Sequence, residues 1–179
     1  MYNEIMVYFA RHGETDANRQ NLFNGETDLD LNRDGIEQAQ KQAKELASIK
    51  FDEVFCSPKR RAVQTCEIII GVNKFTIDNR ITELNCGKYD GKKRNIVSKI
   101  LFLDSLKKGK NGVEHIEAFV ARNIDFCEEV LKPEKGKNLL IVSHHGNAAA
   151  FDFYFKGKPR GYNFTKRIVE NGGILVFDL

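Results

Sequence analysis

Three apolar runs in this chain each stop on side chains that can handle an anion. Ile5-Met6-Val7-Tyr8-Phe9-Ala10 runs into Arg11-His12-Gly13-Glu14-Thr15, Phe51 through Cys56 into Ser57-Pro58-Lys59-Arg60-Arg61, and Asn138 through Ser143 into His144-His145-Gly146. A neutral imidazole offers a ring nitrogen that can attack phosphorus directly and later be released, splitting one hard transfer into two easier ones. A guanidinium offers a planar fork matched to phosphate oxygens. Ser57-Pro58 reads as a helix start, with serine accepting a first-turn N–H and proline losing no needed donor. Lys59, Arg60 and Arg61 would then crowd the positive end of that helix, at a cost of about 0.3–1 kcal/mol each when exposed, until an anion binds there.

These side chains converge only if the runs are strands that share a sheet and point the same way. In open α/β sheets, ligands bind beyond the carboxyl ends of the strands. The spacing predicts a helix capped by Asn32 or Asp34 and running to Leu46, a strand at 53–56, a helix near 58–70 closed by Gly71, and a short strand near 75–77. A loop carrying Glu83 follows, then a charged segment, Lys92 to Gly112, with the helical apolar patch Ile96, Ile100 and Leu103. A long helix over 113–131, a strand at 139–143, a helix at 147–155 and a strand at 173–178 complete the reading. Strands alternating with helices imply an α/β fold, a three-layer α/β/α sandwich with a mostly parallel central sheet.

At 179 residues the chain has the size of one domain, expected to span 1–179. Its net charge of +3 is spread along the chain and argues against nucleic acid; a small anionic substrate suffices to explain it. Glu4 interrupts the amino-terminal apolar run, which is too short for a signal peptide or membrane span, so the expected location is cytoplasmic and no membrane partner is expected. Cys56, Cys66, Cys86 and Cys127 form no C-x-x-C pair and are expected to be buried free thiols; Cys86 is notable for lying three residues after Glu83. The histidine pair lacks a supporting ligand spacing, so no metal and no other cofactor is expected.

The order of motifs resembles the histidine phosphatase (phosphoglycerate-mutase-like) superfamily. It is carried by Arg11-His12-Gly13-Glu14-Thr15, by Ser57-Pro58 with Arg61-Ala62 and Gln64-Thr65, by Glu83 with Gly87 and Gly91, and by Val142-Ser143-His144. Asn18, the Asn24–Asp28 turn, Leu31 through Ala39, and Glu114 with Arg122 also fall in family order, so the likeness covers nearly the whole chain. The resemblance implies His12 as the nucleophile, Arg11, Arg61 and His144 around the transferring phosphoryl group, and Glu83 as general acid. Asn18, Gly25, Glu26 and His145 are expected to contact substrate. Glu14, close in sequence, is expected to anchor the loop, and Lys59 and Arg60 to be solvated. Removing Arg61 is expected to leave its helix no less stable. Strand register favours His144 as the second histidine, although His145-Gly146-Asn147 resembles a variant of some mutase-like members.

Two departures concern the substrate rather than the phosphate chemistry: Ala17 stands where the family often has Trp, and Ala148-Ala149-Ala150 supplies no arginine where many members have one. The leading expectation is a metal-independent phosphomonoesterase acting on a small phosphorylated metabolite. A cofactor-dependent phosphoglycerate mutase is the alternative; mutases usually carry a longer insertion than Lys92–Gly112, whose lysines and Arg94 either grip a second acidic group or are solvated. A catalytically idle, ligand- or protein-binding member is the third reading.

Overall fold

The protein is described from a computed structural model that covers residues 6–72, 74–132, 136–157 and 169–178. Ile5, where the first apolar run begins, and the two ends of the expected 1–179 span lie outside the described residues. Among the described residues, five strands form one sheet: β1 (Met6–Arg11), β2 (Glu53–Cys56), β3 (Thr76–Ile77), β4 (Asn138–Ser143) and β5 (Ile174–Asp178), in the spatial order β3-β2-β4-β1-β5. All neighbours run parallel except β5, which lies antiparallel to β1.

Alternate residues of each central strand face opposite layers, which explains why these strands read as continuous apolar runs. Val7, Phe9, Phe55, Leu139 and Ile141 face one layer with Phe126, Ala148 and Phe151. Ala10, Cys56, Leu140 and Val142 face the other, with Leu46, Ala62 and Cys66. The first layer is supplied by helices α5 (Ile116–Phe126) and α6 (His145–Phe155), the second by α2 (Arg33–Leu46) and α3 (Arg60–Ile70). A short helix α1 (Asp16–Arg19) follows β1. Helix α4 (Ile96–Lys108) sits outside these layers, over a satellite cluster of Phe23, Cys86, Tyr89, Leu106 and Val113. No described helix is long and apolar enough to cross a membrane.

Several boundaries differ from the sequence reading. Ser57 continues the strand direction, its N–H bonding to Val142 O, the chain bends at Pro58 and Lys59, and α3 starts at Arg60. The capping acceptor comes from another segment, since Arg60 N–H donates to Asp28 Oδ1 at 2.7 Å. The 113–131 helix begins only at Ile116, because Val113 bridges Cys86 and Glu114 N–H bonds to Asn85 O; its last turn, Cys127–Leu131, widens to a π-helix. Helix α6 begins at His145, two residues early, with His144 as its extended N-cap. Asn32, rather than Asp34, caps α2.

Candidate active site

Strand register brings the two histidines together. Arg11 pairs with Ser143 across β1 and β4, so the next residues, His12 and His144, leave adjacent strand ends. Their rings meet edge to face with centroids 5.0 Å apart. Cys56 pairs with Val142, which places Ser57 beside the same ends, and Ser57 Oγ lies 2.7 Å from His144 Nε2. The serine read as a helix cap instead holds an imidazole.

Both histidines are buried, at 3% and 0% exposure. Burial, followed by the charges of Arg61 and Arg11, holds the His12 pKa well below 6.5; burial and then Arg61 do the same to His144. Both rings are therefore neutral at pH 7. His12 Nδ1 lies 2.7 Å from Gly13 O, and a carbonyl only accepts, so Nδ1 carries the proton and Nε2 keeps a lone pair. The His12 turn is held by Gly13 N–H to Thr65 Oγ1 at 3.1 Å and by Gly172 N–H to His12 O. Gly13 is obligatory there: a Cβ would stand 2.2 Å from Gly35 O, where the first turn of α2 crosses the loop.

Arg61 is fully buried and donates to Thr27 O at 3.0 Å and Gly25 O at 3.2 Å. Its Nε is buried without a hydrogen-bond partner among the described residues. The turn that accepts from Arg61 is fixed by Asp90, whose carboxylate takes Gly25 N–H at 2.6 Å and Thr27 N–H at 2.7 Å. Because its removal would take donors from those carbonyls, Arg61 also stabilises the Gly25–Thr27 turn, a role separate from the expected effect on its own helix. Of its neighbours, Lys59 is largely buried and pairs with Glu26 at 3.0 Å, whereas Arg60 is solvent-exposed, as expected, while pairing with Asp30 at 2.7 Å. An acidic loop thus offsets the cations at the start of α3 before any anion binds.

Glu83 enters from the loop after β3 on a tightly held backbone. Arg122, fixed by Glu114 at 2.8 Å, donates to Thr82 O and Glu83 O, while Asn147 Nδ2 donates to Thr82 O. The carboxylate stands over the first turn of α6, where a Cβ on Gly146 would come within 2.5 Å of Glu83 Oε1. Only glycine admits that approach.

Arg11, His12, Asn18, Glu83 and His145 line one end of a cavity of about 350 Å³. Asn18 spends its carbonyl oxygen on Thr15 and Asn171, and its amide nitrogen has no hydrogen-bond partner among the described residues. Arg61 and His144 lie behind this surface against His12. Gly25 and Glu26 do not line the cavity: Gly25 supports Arg61, and Glu26 is an exposed partner of Lys59. Glu14 is engaged by Arg19 and Asn32. Cys86 does line the cavity, but burial pushes its thiol pKa up, so it stays protonated. Sequence reasoning missed Asp90 and Asn171, which act through backbone contacts that leave no periodic or motif signal. Among the described residues no three His, Cys, Asp or Glu side chains cluster to hold a metal ion.

The two strand-end histidines are expected to respond differently to truncation. His144→Ala removes the ring against His12 and should lower kcat by about 10²–10³-fold, the scale of a lost preorganised donor. His145→Ala, on the cavity wall, should act mainly on KM. Steady-state kinetics on both variants checks this, and a larger loss of kcat in His145→Ala would reverse the assignment.

A family profile described as the histidine phosphatase superfamily (branch 1) matches residues 7–179. A Hydrogenobacter thermophilus protein named "Putative phosphoserine phosphatase 2" is 33% identical over 156 residues, covering 80% of this chain and 75% of that protein. A 2,3-bisphosphoglycerate-dependent phosphoglycerate mutase of Cytophaga hutchinsonii is 27% identical, covering 91% and 89%. The solved α-ribazole phosphatase of Shigella flexneri superposes with a TM-score of 0.80 at 26% identity, over 96% of this chain and 89% of that one. With its paired strand-end histidines and a match running from β1 to its last residue, the chain belongs to the histidine phosphatase superfamily.

Proposed function

We propose that the protein hydrolyses a small phosphate monoester through a phosphohistidine on His12. The observation that carries this reading is the His12 Nδ1 to Gly13 O contact, which leaves Nε2 unprotonated and flanked by Arg11 and Arg61. In the first step Nε2 forms an N–P bond as the P–O bond to the leaving group breaks, and Glu83 gives the departing oxygen its proton. In the second, Glu83 takes a proton from water, the hydroxide oxygen bonds phosphorus, and Nε2 leaves with its electron pair. Arg11, Arg61 and His144 stabilise charge on the non-bridging oxygens in both steps. Asn18 and His145 are assigned to substrate contact from the cavity wall, and Gly25 and Glu26 to support of Arg61 and Lys59. The relatives' names, phosphoserine and α-ribazole phosphatases among them, support a small phosphorylated metabolite as substrate. Four buried free cysteines support work in the reducing cytosol.

The test is leaving-group dependence. Glu83→Gln should slow an alkyl phosphate by about 10²–10⁴-fold and an activated aryl phosphate, which departs unaided, far less. Equal slowing on both would remove Glu83 as the acid.

A further inference from the structure

Arg94 is built into the cavity wall in a way that the phosphate chemistry does not use. Its backbone is clamped to the loop after α1: Arg94 N–H donates to Asn21 O at 2.9 Å, Asn21 Nδ2 donates to Arg94 O, and Leu22 bridges Lys93. Its guanidinium lies 5.3 Å from the Phe23 ring centre. Among the described residues, Arg19, Arg33, Arg60, Arg80 and Arg122 all pair with carboxylates. Arg94 does not, and its Nε is buried without a hydrogen-bond partner, the same condition as at Arg61. Asp104, the acid that the sequence carries between Lys92 and Gly112, is taken by Lys108. A fixed guanidinium with a buried, unused N–H on a cavity wall is a receptor for an anion. Lys99, exposed on α4, lines the same cavity and adds a second cation.

Apart from its polar and charged residues, the wall of the same cavity is apolar, with Leu22, Phe23, Leu84, Phe102, Ile116 and Phe119. We propose that Arg94 reads a second anionic group on the substrate, so that the preferred substrates are phosphate monoesters whose leaving group has an apolar body ending in an anion. This rests on the hydrolase reading above. The phosphate sits at His12, the apolar body is desolvated against the Phe23 and Phe102 side, and the terminal anion meets the Arg94 fork. A neutral apolar leaving group would fill the wall but leave Arg94 unpaired; a small charged one would reach the cation poorly and leave the wall wet.

The test uses two phenyl phosphates with para chains of equal length, one propyl and one carboxyethyl, alongside para-nitrophenyl phosphate. The wild-type protein should prefer the carboxyethyl ester by about tenfold or more in kcat/KM, the scale of one charge-assisted hydrogen bond. In Arg94→Gln that ratio should collapse toward one, through KM of the carboxyethyl ester, and Arg94→Lys should keep part of it; circular dichroism checks that both fold. Turnover of para-nitrophenyl phosphate without any carboxyethyl preference overturns this proposal alone. A preference that survives in Arg94→Gln also overturns it. No turnover of any of the three esters overturns the hydrolase reading and this proposal with it.

Discussion

Replacing His12 with alanine is expected to remove turnover and covalent phosphate uptake together, with kcat falling by about 10⁴-fold or more, as when a nucleophile is deleted. In the wild-type protein, label from a radioactive phosphate ester should appear on the chain and be lost in acid, since a phosphohistidine is acid-labile. Ordinary hydrolysis by His12→Ala, or an acid-stable label, would sink the assignment. The same ring sets a pH dependence. Burial and the charges of Arg61 and Arg11 lower the His12 pKa well below 6.5, so the nucleophile stays neutral and the acidic limb of kcat/KM should lie below pH 6.5. Stability follows with a definite sign. Below pH 6.5 the unfolded chain protonates both histidines while the folded chain does not, so stability should decline as pH falls from 6.5 toward the folded pKa values. A melting temperature that rises on acidification through this window would contradict it.

The histidines were legible in the sequence for a physical reason: a strand buried on both faces must be apolar throughout, so the first polar residues after it mark its end. Placing His12 beside His144 required the strand order as well, and that order is decided by layers formed from residues far apart in the chain. The helix near 58–70 was legible by periodicity, but its start was not. Asp28, more than thirty residues away, supplies the acceptor that a cap at Ser57 would have supplied, freeing Ser57 to hold His144. Glu83 stood out only by resemblance, because a loop glutamate has no period; what fixes it is Arg122, reaching back across the fold. Gly146 left no comparable sign, because what marks its place is the Glu83 carboxylate standing over it from another loop.

Arg61→Ala is expected to cost activity and stability at once, and the ratio of the two separates its roles. The guanidinium faces both histidines electrostatically, being the first charge acting on each, and its Nε has no partner among the described residues. Loss of such a preorganised cation from a phosphoryl-transfer site should lower kcat/KM by about 10³-fold or more. The same deletion leaves the Gly25 carbonyl buried without its Arg61 donor, at about 1–3 kcal/mol, and takes the donor from the Thr27 carbonyl as well. For a chain of this size, each kcal/mol lowers the melting temperature by about 2–4 °C, so the fall should be several degrees. Asp90→Asn supplies the control, because it disturbs the Gly25–Thr27 turn while keeping the guanidinium: it should lower the melting temperature comparably, with a smaller loss of kcat/KM. Arg61→Lys should keep part of the charge but lose the two-carbonyl fork, and so fall between. If Arg61→Ala and Asp90→Asn lose activity equally at equal stability, the arginine works only by shaping the turn. If Arg61→Ala loses stability while its folded fraction turns over normally, the cation has no part in the transfer.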